Sequence, residues 1–410
     1  MAVGKETFGV MHPVKGFRLG TTQAGVRYQN RRDLVIMEAA AGSTIAGTFT
    51  KNAFCAAPVT ICKDNLAHMA GQSDKALLLV TNTGCANAGT GAPGMRNAAA
   101  VCKALAQHSA VPEENIFPYS TGVIGEPLPV ERIAAALPKC LDALSEEGWS
   151  DAAYGIMTTD TRPKGASVQL ELSGGVVTIS GLSKGAGMIK PNMATMLAYV
   201  ATDAKVPPDL LQQLAAEATQ ASFNSITIDS DTSTNDCCML VATGQSGVEV
   251  TENGGADFET FKAALMDVYL RLAHAIVRDG EGATKFVAVE VVAAGSVEEA
   301  RDVAYTVAHS PLVKTALFAS DPNWGRILAA VGRAPIENLD VTGVAVSLNG
   351  VLIAEQGAVA ASYTEAAGAA EMQKEEITIQ VSLGRGPAKA TIWTTDFSYD
   401  YVKINADYRS

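Results

Sequence analysis

The amino-acid sequence predicts a mixed α/β (α+β) protein in which sheets are layered with helices. Three observations lead there. Strand-like and helix-like patterns alternate along the chain. Residues 286–292 form a nearly continuous apolar run, as in a strand buried on both faces. Asn349-Gly350 sits between two β-rich runs, a strong hairpin signal.

Taken in order, residues 76–80 are a short apolar run that ends in the loop-like Thr81-Asn82-Thr83-Gly84. Residues 94–109 read as a helix. Residues 115–119 look like a strand, followed by the small-residue loop Ser120-Thr121-Gly122-Val123-Ile124-Gly125. Residues 130–144 are helical in pattern, and 176–182 are β-rich. Residues 207–223 and 258–277 carry apolar side chains at helical spacing; in the second these are Phe258, Phe261, Leu265, Val268, Leu272 and Ile276. Ser296 and Glu299 have the spacing of a capping box and should open a helix. Residues 341–348 and 351–353 flank the Asn-Gly turn. Residues 377–383 alternate cleanly, with 391–395 as the expected partner.

Composition narrows the function classes. The chain has 410 residues and a net charge of −12, with no Lys/Arg-rich run, so a nucleic-acid footprint is absent from the sequence. No apolar stretch reaches the roughly 18 residues of a membrane helix. The first 18 residues lack a signal-peptide pattern, and a cytoplasmic protein is expected. The seven cysteines are irregularly spaced without a C-x-x-C, so reduced and mostly buried thiols are expected rather than a disulfide framework or zinc site. Asp229, Asp231 and Asp236 do not fit an EF-hand loop and read as structural.

The most unusual segment is Lys184-Gly185-Ala186-Gly187-Met188-Ile189-Lys190-Pro191-Asn192-Met193-Ala194-Thr195-Met196-Leu197. Two glycines and a proline interrupt what would otherwise be a strand, and Thr195 heads an apolar run. A Thr hydroxyl needs a base to become a nucleophile, and the five histidines lie far from it in sequence. One solution avoids histidine: the Thr becomes N-terminal and its own α-amine, titrating near 8, is the base. That requires a break between Ala194 and Thr195. Taken alone, Thr195 reads as a structural residue between a turn and a strand.

The segment from Lys184 to Leu197 closely resembles the cleavage motif of the self-processing ornithine acetyltransferase (glutamate N-acetyltransferase) family. The resemblance runs through nearly the whole chain. It includes His12-Pro13-Val14-Lys15-Gly16-Phe17, Asn82-Thr83-Gly84-Cys85-Ala86-Asn87-Ala88-Gly89-Thr90-Gly91, Ser120-Thr121-Gly122 and Met157-Thr158-Thr159-Asp160-Thr161. It continues through Thr227–Asp236 (with Asp231-Thr232-Ser233-Thr234-Asn235-Asp236), Asp279-Gly280-Glu281-Gly282-Ala283-Thr284-Lys285, Ser320-Asp321-Pro322-Asn323-Trp324-Gly325-Arg326 and the tail from Tyr399 to Ser410. Cys85 stands where Asn is expected, and Ser410 where Thr is also common.

The resemblance implies a mixed α/β self-processing fold of the aminopeptidase DmpA-like kind. It implies an α chain 1–194 and a β chain 195–410, forming one catalytic unit, with two of each in a heterotetramer. It implies acetyl transfer from N2-acetylornithine to glutamate in arginine biosynthesis, through an acetyl ester on Thr195. Thr121 and Gly122 would form the oxyanion hole. Thr158, Lys184, Thr195, Glu281, Asn405 and Ser410 would contact substrate. No cofactor or metal is implied; some members also accept acetyl-CoA, and no CoA site is legible here. An N-terminal-nucleophile amidase or aminopeptidase and a non-catalytic amino-acid-binding protein are the competing classes. Asn405 and Ser410 lie within the last six residues, so their roles require an ordered C-terminus.

Overall fold

The structure is a computed structural model that describes residues 2–4, 8–190, 196–253 and 255–407. The chain divides into two compact units. One comprises Thr7–Asn224 and Asp231–Ile276; the other comprises Met1–Glu6, Ser225–Ser230 and Val277–Ser410.

The first unit holds two sheets. Strands β1 (Phe17–Thr22), β2 (Leu34–Ala39), β4 (Leu77–Cys85) and β5 (Ile116–Val123) form one, in the order β1-β2-β4-β5. Strands β3 (Thr44–Phe49), β6 (Lys164–Leu172), β7 (Gly175–Lys184), β8 (Leu197–Thr202) and β9 (Cys237–Ala242) form the other, in the order β3-β9-β8-β7-β6. Among the described residues its helices are α1 (Ala57–Met69), α2 (Gly91–Ser109), α3 (Val130–Asp142), α4 (Trp149–Gly155), α5 (Pro208–Ala221) and α6 (Ala256–Arg278).

The two sheets face each other across one core. Val35, Leu79, Phe117 and Tyr119 from the first meet Leu182, Tyr199 and Met239 from the second, together with Trp149 of α4 and Val59 of α1. Tyr119 and Tyr199 pack edge to face with centroids 5.1 Å apart, and Tyr199 Oη hydrogen-bonds Thr81 Oγ1 at 2.7 Å. The outer face of the first sheet carries Leu34, Ile36, Leu78, Val80 and Ile116, which pack against α2 and α3. Helices α5 and α6 cover the second sheet; a methyl group on Gly181 of β7 would come 2.9 Å from Leu272 of α6. The unit is therefore a stack of helix, sheet, sheet, helix, which explains why its central strands are apolar on both faces.

The second unit has one sheet in the order β13-β12-β11-β14-β10-β15. Its strands are β10 (Phe286–Ala294), β11 (Ala345–Leu348), β12 (Val351–Glu355), β13 (Ala358–Val359), β14 (Glu376–Ser382) and β15 (Ala388–Thr395). Its helices are α7 (Val297–Ala308), α8 (Pro311–Phe318), α9 (Trp324–Gly332), α10 (Glu365–Met372) and α11 (Tyr399–Ala406). Valines and isoleucines of β10, β11 and β14 pack on Val303, Val307, Leu317 and Ile327 of the helices. Ser296 caps α7 by accepting from Glu299 N–H, as its spacing predicts.

Five expectations need correction. The polar stretch Thr81-Asn82-Thr83-Gly84 continues β4 rather than leaving it, and Ser120–Val123 continues β5; the two run as parallel neighbours as far as Gly84 and Gly122. Residues 341–343 form a turn of 3₁₀-helix, and the strand begins only at Ala345. Residues 391–395 do not pair with 377–383. Strand β10 lies between them, parallel to β14 and antiparallel to β15. It is not buried on both faces: Val287, Val289 and Val291 are buried, while Ala288, Glu290 and Val292 on the other face are only half-buried. All seven cysteines are free and six are buried, in line with the expectation of buried thiols. No helix among the described residues is long and apolar enough to cross a membrane.

Candidate active site

In the first unit, β5 delivers Thr121 and Gly122 and β7 ends at Lys184. The polar ends of β4 and β5 are stitched by amides. Ser120 Oγ donates to Asn82 Oδ1 at 2.6 Å, and Asn82 Nδ2 donates to Cys85 O at 2.9 Å. Asn235 Nδ2 donates to both Ala86 O (2.6 Å) and Ser120 O (2.8 Å), tying β5 to the loop before β9. These bonds satisfy backbone groups that a buried, irregular strand end would leave orphaned.

Gly122 cannot be another residue here. Its φ is +132°, and a Cβ on it would lie 2.3 Å from Gly84 C and 2.7 Å from Cys85 N. The strand ends approach too closely for any side chain, and the register shifts at Gly84 and Cys85 mark the bulge.

Thr121 and Lys184, far apart in sequence, meet directly. Lys184 Nζ donates to Thr121 Oγ1 at 2.9 Å, and both residues are buried. An ammonium can only donate, so the Thr121 oxygen accepts and its own proton is turned elsewhere. The hydroxyl is thereby a polarised donor beside a positive charge, which is what a developing oxyanion needs.

Asp160 organises the surroundings of Lys184. Its Oδ1 accepts from Lys164 Nζ at 2.5 Å and from Gly185 N–H at 2.8 Å; its Oδ2 accepts from Thr158 N–H at 2.9 Å. Both side chains of the Asp160–Lys164 pair are fully buried. Burial pushes the Asp160 carboxyl up, but Lys164, Lys184 and the hydrogen bonds outweigh it and hold it well below the usual carboxylate range. One carboxylate thus fixes the backbone at Thr158 and just after Lys184, two of the predicted substrate contacts.

In the second unit, Glu281 is buried rather than solvated, and Asn405 Nδ2 on α11 donates to its Oε2 at 2.8 Å. The flanking glycines make a tight loop. Gly282 has φ +69°, its carbonyl accepts from Ser398 Oγ at 2.6 Å, and a Cβ there would lie 2.5 Å from Tyr401 N. Asp396 accepts from Thr284 N–H (2.8 Å) and Lys285 N–H (3.0 Å) and pins the other end of the loop. The chain end is ordered through α11, which brings Asn405 to Glu281.

Ala194, Thr195 and Ser410 lie outside the described residues. What is described around Thr195 is its frame: β7 ends at Lys184, β8 starts at Leu197, and these two residues pair directly. Among the described residues no group of three or more His, Cys, Asp or Glu could hold a metal ion. Asp160 and Asn235 stand within the quoted motifs without a role legible in the sequence, and Lys164 stands outside them. Only the spacing of Asp160 and Lys164, four residues apart, hinted at a pair.

Replacing Thr121 by Val keeps its shape and removes the hydroxyl. We expect kcat to fall about 10²–10³-fold with KM little changed, as for loss of one oxyanion donor. Steady-state kinetics of Thr121→Val check this; an unchanged kcat would rule out Thr121 as an oxyanion donor.

The chain matches the ArgJ family over residues 18–410. It is 58% identical to a Pseudomonas syringae pv. tomato protein named arginine biosynthesis bifunctional protein ArgJ, across 100% of both chains. It is 54% identical to the protein of the same name from Methylococcus capsulatus, covering 97% of this chain and 96% of that one. Among solved structures, the arginine biosynthesis bifunctional protein ArgJ of Bacillus halodurans aligns with a TM-score of 0.50 and 37% identity. The match takes in 52% of this chain and 99% of that one.

Proposed function

The chain belongs to the ArgJ family, and from that premise we propose that it is an acyltransferase of arginine biosynthesis that moves the acetyl group of N2-acetylornithine to glutamate. The observation that carries the chemistry is the Lys184–Thr121 hydrogen bond, which sets an oxyanion donor beside a fixed cation.

The chain breaks between Ala194 and Thr195, leaving pieces 1–194 and 195–410. The alignment of a whole solved relative to about half of this chain supports that division. The α-amine of Thr195 takes the proton of its own hydroxyl as Oγ attacks the acetyl carbonyl carbon. The resulting oxyanion is held by Thr121 Oγ–H and the Gly122 N–H. The C–N bond breaks, the amine returns the proton to the leaving nitrogen, and ornithine departs. The α-amine of glutamate then attacks the acetyl-threonine ester, gives up a proton, and frees Thr195. Lys184 and Thr158 are assigned the substrate carboxylate, and Ser410 a further polar contact. Glu281, steadied by Asn405, is assigned the ornithine ammonium.

The word bifunctional in the relatives' names supports a second activity, acetylation of glutamate from acetyl-CoA. We further propose cytoplasmic location and a heterotetramer of two α and two β chains. The deciding assay supplies N2-acetylornithine with and without glutamate. Ornithine release that depends on glutamate, with N-acetylglutamate formed in equal amount, is expected. Release independent of glutamate would mark a hydrolase instead.

A further inference from the structure

Lys314 of α8 is a buried base in the second unit that the proposed chemistry leaves unused. It is 1% exposed. Its Nζ donates to Thr394 Oγ1 at 2.9 Å, to Thr395 O and, more weakly, to Thr395 Oγ1 at 3.4 Å. It lies 4.5 Å from the centre of the Phe397 ring, and its main-chain carbonyl accepts from Phe397 N–H at 3.2 Å. The partners are hydroxyls, a carbonyl and a ring face rather than a carboxylate. Burial pulls the amine down to about 7, although the charges of Asp396 and Asp229 act the other way. Burying such a group is costly, and a methionine would fill a similar volume without that cost. What the lysine adds is the set of acceptors it holds in place.

Those acceptors begin the segment that shapes the loop of Glu281. Strand β15 ends at Thr395, and the chain then turns into α11. The loop meets this segment along its whole length. A Cβ on Gly280 would lie 2.9 Å from Thr395 Cγ2. Asp396 takes the Thr284 hydroxyl at 2.6 Å besides the Thr284 and Lys285 N–H groups. Ser398 holds the Gly282 carbonyl, and Asn405 holds the Glu281 carboxyl. Helix α11 has no buried side chain of its own, so its place is set by these contacts and by what precedes them. What precedes them is the corner 394–397 that Lys314 grips. The Phe397 ring carries that hold into α11 by stacking on Tyr401, with centroids 4.8 Å apart.

We propose that Lys314 is a positioning residue for Glu281: through the corner 394–397 it fixes the carboxylate that selects an acetyl donor with a side-chain ammonium. This rests on the assignment of Glu281 to the ornithine ammonium. Selection of that kind needs a carboxylate held in register with the ammonium, and small displacements weaken it. Loss of Lys314 loosens the corner, and with it the loop and α11 on either side of Glu281. Selectivity for the ammonium then falls, while the contacts that other residues make to the rest of the donor persist.

The test measures kcat/KM for two donors, N2-acetylornithine and N2-acetylnorleucine, which has a methyl in place of the ammonium. The ratio of the two is the selectivity. Glu281→Gln should lower it at least about tenfold, as for loss of a charged partner. Lys314→Met should lower it about fivefold or more, through N2-acetylornithine alone. In the E281Q background, K314M should lower it no further. Thr394→Val removes one acceptor of Lys314 and keeps the volume. It should move the ratio the same way by a smaller factor, and it decides the matter if K314M does not fold. An unchanged ratio in folded K314M, or in T394V where K314M is unfolded, overturns the assignment. So does an equal loss for both donors, the mark of a merely structural role, or a full additional loss in the double variant. An E281Q ratio equal to that of wild type overturns the Glu281 reading itself, and Lys314 falls with it.

Discussion

Thr195→Ala should remain one full-length band on a denaturing gel, where the wild type gives two bands of similar size, and should lose acetyl transfer by at least about 10⁴-fold. Two losses coincide in this variant. The hydroxyl is the nucleophile of the transfer, and in the self-processing reading it is also the group that attacks the bond before it. Thr195→Ser is the informative companion, since it keeps a hydroxyl with less steric bulk. It should still be cut and retain measurable transfer. A Thr195→Ala protein that is cut normally, or transfers acetyl at wild-type rate, contradicts both roles.

Asp160→Ala should be the most damaging substitution away from the proposed nucleophile. It leaves the Lys164 ammonium buried without its carboxylate, a loss of about 3–5 kcal/mol of stability when one partner of a buried pair is removed. It also frees the Thr158 and Gly185 N–H groups that Asp160 holds. Thermal or urea unfolding measures the first effect, and a raised KM in whatever folds reports the second. The pH dependence follows from the same carboxylate. Its folded pKa lies below the unfolded one, so its contribution is fully present above about pH 4 and is lost as pH falls toward the folded value. Wild type should therefore lose stability steeply below about pH 4, and Asp160→Asn should show a shallower acid slope. Equal slopes would mean that the pair does not govern acid stability.

Elements with a clear period were legible in the sequence: the long helices α2, α5 and α6, the capped start of α7, and the strand β10, although it buries one face and not two. The ends of β4 and β5 were not. Thr81, Asn82, Thr83 and Ser120 look like loop residues, yet each is buried. Thr81 bonds to Tyr199 and Ser120 to Asn82. Local propensity gave way to partners that only the fold brings near. The same holds for β14 and β15, whose separation by β10 is a non-local fact.

The site was legible in a different way. Gly122 and the glycines around Glu281 are readable as close-approach positions once a site is suspected. The meeting of Thr121 with Lys184, 63 residues apart, is not a pattern in sequence; it depends on β5 and β7 belonging to facing sheets. Family resemblance placed Thr158 and Lys184 on the substrate, but the carboxylate that holds both in place, Asp160, emerged only from the hydrogen bonds. The burial of Glu281 against Asn405 depends on α11, an element far from it in sequence.

The central claim is that acetyl passes through Thr195 as an N-terminal residue. Mass spectrometry of the denatured protein, after a rapid acid quench with N2-acetylornithine and no glutamate, tests it most directly. The account predicts that the piece beginning at Thr195 gains one acetyl group on its first residue, and that glutamate removes it on a catalytically competent time scale. An acetyl group found on another residue, or none while ornithine is released in the burst, would contradict it.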